Sequence, residues 1–356
     1  MKFKKITVCL DMRGCPNRCK HCWLGATPNG SLNADDLRYA AERFRPYTRK
    51  LEVYDWFREP DYGSDYKEMW KLCGELSDEH MPHFELVSFW RLARDEAYGR
   101  WLAGLGMKYA QLTVFGDESM TDYFVGRRGA YKEILRSIDV LLENGICPRI
   151  QMFVNERNIS HLNYVERLIK GLELERRCRE VGGEFSFFLH AGSCDGENEQ
   201  FYGMRITPQM LERIPKSLAE LTIKHFGKKN IYEVFGEPEH RLYKEMAEDN
   251  SVRDIVSDSP VFYVDKDFNV YPNITAPTKY WSLGNLKSDG VETVLDNYRG
   301  NLGYAEGVFR DVPLSHLVKT CGTRDGMGMF TRDDYIIYLL NKYCRKMGHC
   351  NNERGE

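Results

Sequence analysis

Apolar and polar positions alternate with two different periods along the first half of the chain. Short apolar runs recur at 5–11, 51–56, 84–89, 109–115, 148–154 and 184–190. Between these runs the apolar positions repeat every three to four residues, as in Ile134, Ile138 and Leu142. Such a pattern predicts six strands alternating with amphipathic helices.

This alternation predicts the α/β class, with parallel strands joined by right-handed helical crossovers. Six strand–helix units could form either an open sheet or an incomplete barrel. In both arrangements the loops at the carboxyl ends of the strands carry the chemistry. We therefore expect functional residues directly after the predicted strands.

The repeating pattern stops near residue 192, and a different organisation follows. Residues 200–250 mix helical stretches with glycine and proline, and the run PVFYVDKDFNVYPN predicts a hairpin. Helices are predicted near 289–299 and 333–346. These changes predict a main domain over 1–225, a linker over 226–250 and a smaller α+β domain over 251–356.

Composition and charge exclude several classes of protein. The net charge of −3 over 356 residues and the lack of a basic stripe argue against a nucleic-acid partner. No apolar run approaches membrane length or forms a secretory signal, so we expect a cytoplasmic protein with no membrane partner. The eleven cysteines are an odd number in such a chain, which favours reduced thiols over disulfides.

Three of these cysteines lie together in CPNRCKHCW, directly after the first predicted strand. Cys15, Cys19 and Cys22 could ligate three irons of a [4Fe–4S] cube and leave the fourth iron open. The alternative is a zinc site completed by His21 or by a distant cysteine. The position after the first strand favours the cluster.

This cysteine loop, followed by the aromatic Trp23, resembles the radical S-adenosylmethionine (radical SAM) superfamily. The family has a Gly-Gly-Glu-Pro stretch after its second strand, where this chain has Phe57-Arg58-Glu59-Pro60. The resemblance implies a partial (β/α)6 TIM-like barrel, in which Glu59 binds the amino group of SAM and Trp23 lies with the cofactor. Both glycines are replaced, which leaves the shape of this loop open.

Two further stretches resemble the SPASM/twitch branch of that superfamily. In QLTVFGDESMTDYFVGRRG, the resemblance assigns Thr113 and either Arg127 or Arg128 to SAM or its carboxylate. FYVDKDFNVYPN with the later SLGNL and VETVLDNY resembles the SPASM hairpin, but Asn273 stands where a cluster cysteine is usual. Cys321, Cys344 and Cys350 form no dense ligand run, so we expect the auxiliary cluster to be absent.

The resemblance also implies a reaction. One [4Fe–4S] cluster would cleave SAM to methionine and a 5′-deoxyadenosyl radical, with an electron from a donor such as flavodoxin or ferredoxin, and the radical would abstract a hydrogen atom from the substrate. A peptide substrate, as in natural-product maturation, is favoured. The alternative substrate is a small biosynthetic intermediate (a sugar, cyclitol or amino acid) handled by an epimerase, lyase or dehydrogenase.

Two candidate groups follow the sixth predicted strand. Cys194 could donate a hydrogen atom to a substrate radical, although an incidental loop cysteine has the same signature. His190 could act as a base, or only form an ordinary hydrogen bond at the strand end. A further alternative for the whole chain is a metal-binding protein that kept the fold without catalysis, which the lost glycines would favour.

Overall fold

The computed structural model describes residues 2–25, 28–55, 58–79, 83–300 and 304–352, so Phe57 lies outside the described part. The strands are β1 Ile6–Leu10, β2 Leu51–Tyr54, β3 Tyr109–Thr113, β4 Cys147–Phe153, β5 Ser186–His190, β6 Glu237–Pro238, β7 Val261–Val264, β8 Asn269–Pro272, β9 Gly284–Asn285 and β10 Met329–Phe330.

Helices connect these strands and form most of the C-terminal region. They are α1 Ala34–Phe44, α2 Tyr66–Leu76, α3 Phe89–Leu92, α4 Glu96–Gly104, α5 Glu118–Val125, α6 Ala130–Glu143, α7 Leu162–Gly171, α8 Leu174–Glu180, α9 Pro208–Leu211, α10 Lys216–Phe226, α11 Ile231–Phe235, α12 Glu239–Met246, α13 Gly290–Gly300, α14 Tyr304–Asp311, α15 Leu314–Cys321 and α16 Arg332–Asn352. Short 3₁₀ helices cover Arg45–Tyr47, Ile159–His161 and Gly196–Met204.

The strands form two larger sheets and one small one. Strands β3, β4 and β5 make a parallel sheet in that order, and β2-β1-β7-β8-β9 make a second sheet in which β1 is parallel to both neighbours. Strands β6 and β10 pair antiparallel. The predicted mixed α/β fold with parallel strands is confirmed.

One predicted strand is wrong. The run 84–89 forms only an isolated parallel bridge between Leu86 and Gln111, after which α3 begins at Phe89. The reason is local, because the Ser88 hydroxyl accepts a hydrogen bond from the Arg91 amide and caps that helix. Ser88 itself keeps an extended backbone, as helix N-cap residues do, and the chain turns into α3 directly after it.

The hairpin predicted at 260–273 forms as β7 and β8, and it joins the sheet of the N-terminal strands. Thr7 of β1 is paired with both Glu52 of β2 and Val261 of β7. The division into domains at residue 251 stays a prediction, and the β1–β7 pairing crosses it.

Two buried clusters hold this arrangement together. Val8 and Phe262 are paired across β1 and β7 and belong to one cluster with Leu295 of α13, while Ile150 of β4 belongs to the other with Ile138 of α6. Each of these side chains is almost fully buried, which contributes roughly 1.5–3 kcal/mol per side chain through the hydrophobic effect. In the described part of the chain, no helix is both long and apolar enough to cross a membrane.

Candidate active site

A cavity of about 630 Å³ lies at the carboxyl ends of the strands, where the cysteine loop follows β1. It brings together most of the residues that the sequence predicts for the site: Cys15, Cys19, Cys22, Trp23, Glu59 and Thr113. Arg127, Arg128 and Cys194 are not among the described residues that line it. The cavity is therefore the candidate active site.

Backbone hydrogen bonds fix the cysteine loop to the end of α5. The Arg18 amide donates to the Val125 carbonyl over 3.1 Å, and the Lys20 amide donates to the Phe124 carbonyl over 2.8 Å. Within the loop, the Asn17 amide approaches Cys15 Sγ at 3.4 Å. Burial is the main cause that raises the pKa of the Cys15 and Cys19 thiols, and neighbouring acidic groups add to it.

All three thiols of the cysteine loop line one cavity. Among the described residues, no group of three or more histidine, cysteine, aspartate or glutamate side chains is arranged to hold one metal ion. In a [4Fe–4S] cube each thiolate ligates a separate iron, so three thiols around one cavity need not converge on one point. His21, the candidate fourth zinc ligand, instead packs between Phe115 and Phe153 with ring centroids 4.6 and 4.4 Å away.

Glu59 lies beside the cysteine loop. Its Oε1 accepts a hydrogen bond from Ser88 Oγ over 2.7 Å, and its Oε2 lies 3.7 Å from Cys15 Sγ. Burial raises the pKa of Glu59 to about 7, against the opposing effect of the Ser88 hydrogen bond. A carboxylate in such a place gains from a cationic ligand, such as a protonated amine, that restores its charge.

The loop that carries Glu59 is held by Arg91, a role that no sequence motif predicts. Arg91 of α3 donates to three successive carbonyls, those of Asp61, Tyr62 and Gly63, over 2.6, 3.0 and 2.7 Å. Asp61 has a left-handed φ of 55°, which a non-glycine residue adopts only where its surroundings hold it. The Arg91 contacts therefore hold the backbone that directly follows Glu59 and Pro60 in this conformation.

Arg58, which directly precedes Glu59, forms a buried ion pair. Its guanidinium lies 2.9 Å from the Asp11 carboxylate, and the two side chains are 5% and 4% exposed. Asp11 directly follows β1, so this pair ties the loop after β2 to the loop after β1. No sequence pattern around Arg58 predicts this ion pair with Asp11.

Neutral polar side chains of two neighbouring strands form the floor of the cavity. Gln111 and Thr113 of β3 and Gln151 of β4 line it, and Gln151 Nε2 donates to Thr113 Oγ1 over 2.6 Å. Of these three residues, the sequence pattern predicted only Thr113 for the site. Alternation along the strands could have found the two glutamines, because residues two apart face the same side of a sheet.

Two histidines line the same cavity, and both pack against Phe153. His190, at the end of β5, packs on Phe153 with a centroid distance of 4.0 Å, and His21 packs on the same ring. Burial lowers the pKa of His21 to about 3 and that of His190 to about 4, so both rings are neutral near pH 7. Trp23 lies against Tyr263 of β7, 5.9 Å between centroids.

The remaining candidates have other surroundings. Arg127 pairs with Glu133 through both guanidinium nitrogens, and its Nε donates to Asn17 Oδ1 over 2.9 Å. Arg128 is exposed on the surface. Cys194 is 2% exposed and packs in the C-terminal apolar cluster with residues of α12, α15 and α16.

Comparison with known proteins gives a structural likeness without a sequence match. No protein-family model matches the chain, and no curated protein matches it. A solved structure of native anSMEcpe with bound AdoMet has a TM-score of 0.55 at 13% identity, covering 98% of this chain and 99% of that one.

A second structure of the same protein carries an additional ligand. Native anSMEcpe with bound AdoMet and Kp18Cys peptide has a TM-score of 0.54 at 12% identity, with the same coverage of 98% and 99%. At this identity the likeness concerns the fold. The chain therefore has the fold of anSMEcpe, a protein solved with bound AdoMet.

Proposed function

We propose that this chain is a radical SAM enzyme that holds one [4Fe–4S] cluster on Cys15, Cys19 and Cys22 and binds SAM in the adjoining cavity. The observation that carries the proposal is the meeting of these three thiols with Glu59 around one cavity, Cys15 Sγ lying 3.7 Å from the Glu59 carboxylate. When bound, the cluster and SAM would supply, with one electron from an external reductant, methionine and a 5′-deoxyadenosyl radical that would abstract a hydrogen atom from a substrate C–H.

The residues of the chain bind and orient the reactants. The three cysteines act as thiolates, and Glu59, oriented by Ser88, accepts the protonated amino group of SAM. Thr113, oriented by Gln151, offers a hydroxyl to a polar group of the cofactor. The aromatic and imidazole rings beside the cysteine loop reduce contact with water, which protects a radical from quenching.

We extend the proposal to the architecture. Strands β1–β5 with the bridged segment at Leu86 would form an incomplete barrel, followed by a SPASM/twitch-like C-terminal region without an auxiliary cluster. Two observations support the missing cluster. Asn273 accepts a hydrogen bond from the Tyr263 hydroxyl over 2.8 Å, and Cys321 and Cys344 are buried in an apolar cluster.

For the substrate we propose a peptide. The support is the likeness to anSMEcpe, whose structure with a Kp18Cys peptide shares this fold. A small biosynthetic intermediate is the second candidate, because a cavity of about 630 Å³ has the size of a small-molecule site. We do not extend the proposal to Cys194 as a hydrogen-atom donor, since it packs in the C-terminal cluster.

The test is SAM cleavage by the reconstituted protein. After anaerobic loading with iron and sulfide, the protein receives SAM and dithionite, and 5′-deoxyadenosine is measured by mass spectrometry. The triple variant Cys15→Ala/Cys19→Ala/Cys22→Ala should bind no cluster and form no 5′-deoxyadenosine. Cys147→Ala, a buried cysteine far from the loop in sequence, is the matched control and should retain both.

Two results would contradict the proposal. Deoxyadenosine formed equally by the triple variant would remove the cysteine loop from the reaction. A wild-type protein with about four irons per chain that binds SAM without cleaving it would favour the non-catalytic metal-binding alternative.

A further inference from the structure

One wall of the cavity carries uncharged polar side chains whose hydrogen-bonding capacity is not fully used within the chain. Gln111 of β3, Gln151 of β4 and His190 at the end of β5 contribute to it. Gln151 donates to Thr113, but among the described residues its Oε1 accepts from no donor. In the same part of the chain, neither the Gln111 side-chain amide nor the His190 ring forms a hydrogen bond. These groups are therefore available to a ligand.

The unused capacity matters most at His190. Its Nε2 is buried and has no partner among the residues that the structure describes. A buried polar atom without a partner destabilises the folded chain, and folded proteins pair most such atoms. Ring contacts hold the imidazole, with centroids 4.0 Å from Phe153 and 5.4 Å from Phe188. The side chain as a whole is half-buried and lines the cavity, so a ligand there can supply the missing hydrogen bond.

Charged groups lie elsewhere around the cavity. Among the described lining residues, β3, β4 and β5 contribute no charged side chain, and Arg149 of β4 pairs with Glu85 outside the lining. The charged lining residues come from the cysteine loop, the loop after β2 and the 3₁₀ helix after β5: Arg18, Lys20, Arg58, Glu59 and Glu197. An ion placed against the three strands would lose water without gaining a counter-charge, so this wall favours an uncharged group.

The strand register separates His190 from the residues that we assign to SAM. Thr113 is paired with Gln151 across β3 and β4, and Phe153 is paired with His190 across β4 and β5. His190 therefore lies two strands from Thr113, about 10 Å across the sheet. Glu59 bonds to Ser88, which follows the segment bridged to the other edge of β3. The β5 side of the cavity thus remains for the substrate.

We propose that His190 binds the substrate through an uncharged group that both donates and accepts hydrogen bonds, an amide or a hydroxyl, in preference to a carboxylate. The inference rests on the proposed function, because it names the chemistry of the substrate that the same cavity would hold. A neutral imidazole offers one donor and one acceptor nitrogen. Burial lowers the pKa of His190 to about 4, so the ring has this form near pH 7.

The test measures binding of three small probes to the reconstituted protein with SAM present. Benzamide, benzyl alcohol and benzoate carry the same aromatic ring, which can pack against Phe153, and differ in the polar group. Ligand-observed NMR titrations give the three dissociation constants. At least one neutral probe should bind about tenfold more tightly than benzoate, because burial of a carboxylate at an uncharged wall is unfavourable.

His190→Phe keeps an aromatic ring beside Phe153 and removes both nitrogens. It should weaken binding of the tighter neutral probe about threefold to tenfold and leave benzoate binding unchanged. His190→Gln restores a neutral donor and acceptor and should recover part of the loss. His316→Phe, the same change at an exposed position of α15, is the matched control and should stay within about twofold of wild type.

Urea unfolding distinguishes substrate binding from a structural role. Because His190→Phe removes a buried nitrogen without a partner, its urea midpoint should equal or exceed that of the wild type. A lower midpoint together with unchanged probe binding would make His190 a structural residue and overturn the proposal.

The remaining outcomes are equally decisive. Preference for benzamide would assign the substrate group to an amide, as in a peptide, and preference for benzyl alcohol to a hydroxyl, as in a sugar or cyclitol; both support the proposal. Benzoate binding as tightly as the neutral probes, or no binding of any probe, would overturn it. A protein that holds no iron or does not cleave SAM would count against the proposed function instead, since the probe preference is measured without turnover.

Discussion

Glu59 has one carboxylate oxygen on the Ser88 hydroxyl and the other near Cys15 Sγ, in a site where burial raises its pKa to about 7. Few groups around Glu59 stabilise a negative charge. Its carboxylate can therefore still accept hydrogen bonds from a ligand. The sequence identified Glu59 through a resemblance of only two residues, Glu-Pro. The structure adds Ser88, which no motif indicated.

We expect Glu59→Gln to weaken SAM binding about tenfold or more, because a hydrogen bond to a charged group contributes roughly 1.5–3 kcal/mol. Ser88→Ala should cause a smaller loss, since it removes only the group that orients the carboxylate. Calorimetric titration of SAM into the reconstituted protein measures both. Glu180→Gln on the exposed face of α8 is the control, and the same affinity in all four proteins would contradict the role of Glu59.

Gly126 matters because of its conformation and its neighbour. Its φ is +70°, and a Cβ there would meet the Arg18 carbonyl oxygen at 2.2 Å. Gly129 has a similar φ of +82°, but no atom lies within 4 Å of the point that its Cβ would occupy, so it isolates the conformational effect.

We therefore expect Gly129→Ala to lower the free energy of unfolding by about 1–2 kcal/mol through left-handed strain alone. Gly126→Ala should lower the free energy of unfolding by about 1–3 kcal/mol more, because its Cβ overlaps the Arg18 carbonyl oxygen. The same substitution should also reduce the iron bound per chain, because it displaces the cysteine loop. Urea unfolding and iron analysis test this. Equal iron content in the two variants would show that the loop tolerates the displacement.

At the scale of elements, a network of buried polar groups joins the Glu59 loop to the segment before α3. Asp61 Oδ2 accepts hydrogen bonds from the Tyr98 hydroxyl and from His83 Nε2, the latter over 2.8 Å. Burial alone would lower the pKa of His83, but the hydrogen bond and the charge of Asp61 outweigh it and raise the pKa above 6.5. The protonated histidine therefore stabilises the folded state.

Because the pKa of His83 is raised in the folded state, the stability that His83 contributes decreases as the pH rises. The contribution of His83 is complete below its unfolded pKa of about 6.5 and is lost as the pH rises through the higher folded value. We expect His83→Gln to cost about 1–3 kcal/mol at pH 5.5 and less at pH 9. Urea unfolding at both pH values tests this, and a cost that grows with pH would contradict the ion pair.

A second network joins the loop after β5 to α16. Trp281 Nε1 donates to Asn341 Oδ1, Asn341 Nδ2 donates to Thr275 Oγ1, and Thr275 Oγ1 donates to Asp195 Oδ2, each over 2.8 Å. Asp195 in turn accepts from Ser193, which lines the cavity. The C-terminal helix therefore supports one wall of the candidate site.

Asn341→Leu should lower the free energy of unfolding by about 2–4 kcal/mol, because it leaves the buried Trp281 indole N–H without its acceptor and removes the hydrogen bond that Thr275 accepts from Asn341. Asn163→Leu, the same change at an exposed position of α7, is the control and should stay within about 0.5 kcal/mol. Thermal unfolding of both variants provides the comparison. A similar small effect in both would mean that the network relaxes around the substitution.

At the scale of the whole molecule, the C-terminal hairpin and the first strand share one sheet and one apolar cluster. β7 occupies the edge of β1 opposite β2, and Phe262 and Leu295 pack in the cluster that contains Val8. The cysteine loop leaves β1 at this place, so the support for the site comes from both ends of the chain.

We expect a fragment of residues 1–250 not to fold into a stable domain, because β1 would lose one hydrogen-bonded neighbour and its cluster would be exposed. Circular dichroism and cooperative urea unfolding of the fragment test this, with the full chain as control. A cooperative transition of the fragment would instead support a domain boundary near residue 251 and an independent N-terminal domain.

The sequence by itself determined the elements with strong periodicity, and it predicted a cluster at the cysteine loop. The strands β1, β3, β4 and β5, the hairpin β7–β8 and the amphipathic helices follow from local patterns, and three cysteines in eight residues predict a cluster. These signals are local, because alternation and spacing depend on residues that are close in the chain.

Only the tertiary structure decided what depends on residues far apart in sequence. It reduced the predicted strand at 84–89 to a single bridge that is followed by the capped helix α3, left Cys194 and Arg127 out of the cavity lining, and brought Gln151, Ser88 and Arg91 to the site. It also placed β7 beside β1, across more than 250 residues. The physical reason is that burial and hydrogen bonding are settled by neighbours in space, which a single sequence does not reveal.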